Sequence, residues 1–277
     1  MKTKIIIIAT VLSLKLTDAS AQGLYAGLNG GYGFNLASQN LAVNNANGNG
    51  TSNSYELVKG SFGKGVNFGA NVGYMFNKNI GAELGISYLL GSKFESTFSK
   101  GVNYYTRNQF LSGKMLRLMP SIRITSGEGK LKPYLRLGIV IGLGGKITST
   151  ETEVFTGASP TSETTWEYKG GVSFGFAGAV GLNYQISNKI AVFGECGFIS
   201  QSWAPTKGVL TKDNQNGVDV LPTLTTSQKQ TDFVSKYSES FVTPANTSEP
   251  SKQLKAYSPF SSLGFNIGIQ FNFGKKE

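Results

Sequence analysis

Eight stretches of about ten residues alternate between branched or aromatic side chains and glycine or polar ones. That period of two constrains the chain more than anything else in it, because it is the side-chain repeat of a β-strand. The first stretch, 24–34, sets Leu24, Ala26, Leu28, Gly30, Tyr32 and Phe34 against Tyr25, Gly27, Asn29, Gly31 and Gly33. The others are 66–76, 80–90, 115–124, 133–145, 172–186, 190–199 and 263–273. About ten residues is also the length a tilted strand needs to cross the hydrocarbon layer of a membrane. A soluble β-sandwich alternates as well, so the pattern alone leaves both architectures open.

The connections separate them. Those after stretches two, four and six are short, at Asn77–Asn79, Thr125–Lys132 and Ser187–Lys189. Those after one, three, five and seven are long, roughly 35–65, 91–114, 146–171 and 200–262. Tight turns on one side and long loops on the other are what a barrel inserted from the periplasm requires; a soluble sandwich has no such requirement. The long connections are polar and low in complexity, and 200–262 reads as partly disordered or as a surface hairpin extension. Tyr32, Phe34, Phe68, Tyr88 and Trp203 are expected on the outer rim, and Phe76, Tyr184, Phe271 and Phe273 on the periplasmic rim, as aromatic girdles.

The N-terminus fits the same destination. Lys2 and Lys4 precede an apolar run from Ile5 to Leu12, and Ala19–Ser20–Ala21 supplies small residues for cleavage between Ala21 and Gln22. This is the layout of a secretory signal peptide over 1–21, leaving one barrel domain over 22–277. With one cysteine, Cys196, no intrachain disulfide can form, so stability must come from a core or a membrane. The net charge is +10 and the mean hydropathy −0.11. Without the signal, 23 cationic and 15 anionic side chains remain, a net +8. Such an excess favours anionic surfaces, here lipopolysaccharide phosphates, or simply solvates the long loops. Nucleic acid is not expected as a partner in this compartment.

Five charges fall on the small, polar face: Glu83, Arg117, Arg123, Arg136 and Glu195. Turned to lipid, each arginine near the midplane costs about 2–4 kcal/mol. Enclosed, they can pair, and eight strands leave an interior just wide enough for side chains to fill. Glu83, Arg123 and Arg136 are expected to form one cluster toward the periplasmic half, with Glu195 and Arg117 higher. A charge-filled lumen and a gated ion path are both compatible with these residues. Pro120 cannot donate to a closed ladder, and a bulge is expected there.

The opening strand, Leu24–Phe34, and the closing strand, Gly264–Phe273, resemble those of the OmpA/OmpX-like superfamily of small outer-membrane barrels, the outer-membrane protein β-barrel domain group. The resemblance covers nearly the whole mature chain. It implies an all-β fold: an eight-stranded antiparallel up-and-down transmembrane β-barrel with four long extracellular loops and short periplasmic turns. It also implies an integral position in the outer membrane of a Gram-negative bacterium. The closing strand is similar to the family's C-terminal assembly signal, carried here by Phe271 and Phe273 and read by the barrel-assembly machinery. Gly274–Glu277 follow the last aromatic, a departure from the usual pattern.

Such a pattern specifies architecture and is silent on function. With no histidine, Ser–His and His–Asp hydrolytic arrangements and histidine metal sites are unavailable. No P-loop, dinucleotide fingerprint or calcium-loop spacing occurs, so no cofactor is expected. Loop carboxylates such as Glu151, Glu153 and Glu163 read as solvated charge rather than a catalytic pair. The reading is a non-enzymatic outer-membrane barrel with a structural, adhesive or surface-interaction role. Lipids, lipopolysaccharide and a host or envelope partner of the loops are the expected contacts. The alternative is a narrow or gated channel for small solutes.

Overall fold

A computed structural model describes residues 23–47, 53–100, 105–155, 161–238 and 246–273. β1 (Gly23–Asn35) runs into a hairpin of β2 (Gln39–Asn47) and β3 (Asn53–Gly60). β4 (Gly65–Met75) and β5 (Ile80–Gly91) follow, then the short β6 (Phe94–Lys100) and the two longest strands, β7 (Tyr105–Thr125) and β8 (Leu131–Phe155). Next come β9 (Thr161–Lys169), β10 (Ser173–Gln185) and β11 (Ile190–Trp203). The last connection holds β12 (Lys207–Gln215), β13 (Val218–Asp219), a one-turn helix α1 (Thr226–Lys229), β14 (Gln230–Val234), β15 (Ser251–Leu254) and β16 (Ser258–Pro259). β17 (Ser262–Asn272) closes the chain.

Eight of these strands form a closed antiparallel ring, β1–β4–β5–β7–β8–β10–β11–β17 and back to β1. Closure leaves the ring no free edge. Its turns at one end are tight: Asn77 Oδ1 accepts from the Asn79 and Ile80 amides, and Ser187 Oγ accepts from those of Lys189 and Ile190.

The outer face carries the apolar half of the alternation. Ile267 is 74% exposed, Phe174 and Phe176 70%, while Met115 and Val140 on the inner face are fully buried. Soluble monomers rarely expose a contiguous apolar patch beyond a few hundred Å². A belt of such residues on every ring strand excludes the soluble sandwich. Among the described residues no helix is long and apolar enough to cross a membrane; the crossing is made by strands.

The long connections depart from the sequence reading. β7 and β8 continue past the ring as a two-stranded arm, paired from Tyr105↔Phe155 down to Lys114↔Lys146. Further strands add to both sides of the arm, giving an upper sheet in the order β3–β2–β6–β7–β8–β9–β12–β14–β15. The 200–262 connection, expected to be partly disordered or a hairpin extension, places β12 and β14 in this sheet, and Thr148–Thr152 and Thr161–Thr165 are strand too because the arm offers them a ladder. Pro120 also behaves differently from expectation. The β7–β8 register is unbroken across it, from Leu118↔Ile141 to Ser121↔Gly138. The register shift falls between Lys114 and Leu116, opposite Gly144 and Gly145, where Gly144 takes φ +58°. That left-handed residue is where the arm bends away from the ring.

Candidate functional site: a charge cluster and an aromatic plug in the lumen

Two transverse rows of three residues begin the site. On β1, β4 and β5, Tyr25, Gly73 and Glu83 stand in register; on β8, β10 and β11, Tyr134, Gly181 and Glu195 do the same. In each row the tyrosine ring lies flat over the glycine, where a Cβ would collide with it. The hydroxyl then donates to the glutamate beyond: Tyr25 to Glu83 Oε2 at 2.9 Å and Tyr134 to Glu195 Oε2 at 2.8 Å.

Arg136 joins the rows. Its Nη1 donates to Glu83 Oε1 at 2.7 Å and its Nη2 to Glu195 Oε1 at 2.6 Å. Arg123 sits below, 3.6 Å from Glu83 Oε2, donates to Gln270 Oε1 at 2.9 Å, and stacks over Tyr134 with its guanidinium carbon 4.1 Å from the ring centroid. Asn266 donates to Glu195 and Asn183 to Gln270. Two carboxylates thus meet two guanidiniums, and the cluster is electrically balanced.

Arg117 stands apart. It is buried, and among the described residues no carboxylate lies within ion-pair reach of it. Its Nε donates to Gln201 Oε1 at 3.1 Å and its Nη2 to the Phe260 carbonyl at 2.8 Å. Above it the lumen is stopped by Phe62, Met115, Trp203 and Phe260, all buried. Phe62 and Phe260 are 5.6 Å apart and Trp203 meets Phe260 edge-on at 5.7 Å. Phe62 and Phe260 come from the connections before β4 and β17, tied by Phe62 N–H to the Pro259 carbonyl and Ser61 Oγ to the Ser261 carbonyl. Between plug and cluster lies a polar cavity of about 70 Å³. Its lining includes Arg117, Arg136, Asn71 and Asn266, whose amide oxygens have no protein partner. The cavity has room for more than one water.

The outer membrane protein beta-barrel domain family matches this chain over residues 5–220. The chain belongs to that family. The outer-membrane barrel is also similar in fold to neisserial surface protein A, with 11% identity over 91% of this chain and 99% of that one and a TM-score of 0.41. OprG of Pseudomonas aeruginosa is 14% identical over 93% and 100%, with a TM-score of 0.42. No curated protein matches the chain. Family membership places the barrel in the outer membrane of a Gram-negative bacterium, so its tight turns are periplasmic and its upper sheet is extracellular.

Several sequence expectations can now be located. Glu83, Arg123 and Arg136 share one cluster, but Glu195 belongs to it rather than lying higher, because β11 and β8 are both neighbours of β10 and Arg136 reaches across. Arg117 does lie above. Trp203 is in the plug and not on the rim: it is fully buried, over Gly145, where β11 continues past the membrane band. Phe271 and Phe273 lie on the outward face at the periplasmic end of the barrel. Ala21 and Gln22 lie outside the described residues. Tyr25, Tyr134 and Gln270 were not among the expected site residues, although each is a large hydrogen-bonding side chain on a face rich in glycine and short polar residues. That mismatch was the available signal.

Proposed function

We propose that this barrel is a non-enzymatic surface-interaction protein whose working part is the extracellular sheet. The observation that carries this reading is the continuation of β7 and β8 above the ring as an arm that orders other connections alongside it. Loops on a rigid scaffold are where binding resides, and here the loops are themselves sheet. The β3 edge presents Tyr55 and Leu57 to solvent beside Val43 of β2. Exposed aromatic and aliphatic groups on an ordered surface suit contact with another macromolecule.

The plug and the Glu83–Arg136–Glu195 bridge support a sealed lumen. A second reading, a gated channel, draws on the cavity between them, but conduction then requires both stoppers to move. Planar-bilayer recording on the refolded chain separates the readings. Silence in the native chain, together with loss of cell or matrix attachment when residues 105–113 and 147–155 of the arm are replaced by a short turn, supports the surface role. Steady single-channel steps that change with Arg136→Met reject it.

A further inference from the structure

One transverse line of the barrel carries like charges in direct register. Lys114 of β7 pairs with Lys146 of β8, Lys146 with Lys169 of β9, and Lys169 with Lys207 of β12. Beyond them Asp232 and Lys252 continue the line. Directly paired residues share a face, and Lys114 pairs on its other side with the outward Leu90 while the adjacent Met115 points inward. The row therefore faces out from the barrel. Lys114, Lys169 and Lys207 are exposed; Glu167 holds Lys146 at 2.5 Å and Asp232 stands opposite Lys207, so the lysines outnumber the anions beside them.

Neighbouring strands are about 4.8 Å apart, and like charges directly opposite destabilise a sheet. Four in succession, with only Glu167 and Asp232 beside them, leave a net positive row that an external anion would stabilise. Their height says which one. Lys114 is ten residues above Ile124, the lowest outward aliphatic of β7. Ten residues at about 3.3 Å each, tilted by about 40°, climb about 25 Å, the height of the apolar band of an outer-membrane barrel. Lys169 likewise lies just before Val172 and Phe174, which open the band on β10. The row thus sits where hydrocarbon gives way to headgroups on the extracellular side.

We infer that Lys114, Lys146, Lys169 and Lys207 form a docking row for the phosphorylated headgroup of an outer-leaflet glycolipid, a bisphosphorylated lipid A. Phosphate oxygens bridge neighbouring ammonium groups, while the acyl chains lie against the apolar band below. This is independent of whether the upper sheet binds another partner, and it anchors one side of the barrel in a defined rotation to the leaflet.

The test is native mass spectrometry of the mature chain in phosphatidylcholine nanodiscs containing lipid A, lipid A stripped of its phosphates, or inorganic phosphate alone. The native chain is expected to retain lipid A and release the dephosphorylated lipid. Each lysine near a charged surface is worth about fivefold in affinity, so Lys169→Gln/Lys207→Gln should weaken retention about 25-fold. Lys169→Arg/Lys207→Arg should keep it, as should Lys236→Gln in the upper loop. Undiminished binding by the glutamine pair, equal retention of the dephosphorylated lipid, or displacement of lipid A by millimolar inorganic phosphate overturns the inference. Should the glutamine pair fail to fold, the native chain still decides: retention that does not fall with rising sodium chloride is incompatible with a phosphate row.

Discussion

Arg123 and Arg136 face each other across the β7–β8 ladder, two cations in direct register inside a closed barrel. Each survives there because its guanidinium turns to a different acceptor set. Arg136 spans Glu83 and Glu195, while Arg123 lies under the Tyr134 ring and reaches Gln270. Removing one partner of a buried pair leaves an unmatched charge, which costs about 3–5 kcal/mol. Arg136→Met should therefore destabilise by about that much in urea unfolding from lipid vesicles, followed by tryptophan fluorescence. The double change Arg136→Met/Glu195→Gln, which leaves Glu83 to balance Arg123, should recover most of the loss. A single-variant effect under 1 kcal/mol would remove the cluster from any account of stability.

The plug predicts a second, independent contribution. Trp203 is fully buried beneath Phe260, and removal of a large core aromatic costs about 3–5 kcal/mol. Trp203→Ala should lower the temperature at which the heat-modifiable band shifts in SDS gels. Gly145→Ala should act in the same direction, since its Cβ would stand 2.5 Å from Trp203 Nε1. An unchanged transition for both variants would mean that the plug is not a structural element.

The outward face predicts a depth-dependent penalty. Ile267 is at the middle of β17 and strongly exposed. Ile267→Arg should cost about 2–4 kcal/mol in vesicles, as an arginine at the bilayer midplane does. The same substitution at Val154, outward on the extracellular arm, should be within about 0.5 kcal/mol of neutral. Equal costs at the two positions would contradict the assignment of the membrane band.

High pH should loosen the arm before the barrel. Burial, and the 2.5 Å hydrogen bond its hydroxyl donates to Glu153, push Tyr105 up to about 12 from an ordinary 10.0. A tyrosine raised in the folded state binds its proton more tightly there than when unfolded. Its contribution is fully present below pH 10 and is lost as pH rises toward 12. Titration of absorbance at 295 nm should show late tyrosinates after the exposed ones, and Tyr105→Phe should remove one of them. A Tyr105 that ionises with the exposed tyrosines would refute the Glu153 contact.

The ring was legible because a barrel repeats one physical demand on every strand. Leu263, Phe265, Ile267, Ile269 and Phe271 read outward from their spacing alone, and so do Phe174 and Phe176. The charges read inward for the complementary reason, that lipid will not solvate Arg117, Arg123 or Arg136. Partnership was less legible. Glu195 and Arg136 are two strands apart and meet only because the barrel curves, and Trp203 is drawn inward by loop residues, Phe62 and Phe260, that belong to no alternating stretch.

The upper sheet shows the limit most clearly. Thr148–Glu153 holds no apolar residue and Ser162–Glu167 only Trp166, so neither segment announces a strand by its pattern. Periodicity along one strand encodes which solvent each face meets, so the chain alone determined the barrel, its inside and its outside. Which strands lie side by side, which charges pair across the lumen, and which lysines line up above the membrane are properties of register between distant segments. Only the tertiary structure decided those, since backbone pairing is indifferent to side-chain pattern once neither face has a preferred solvent.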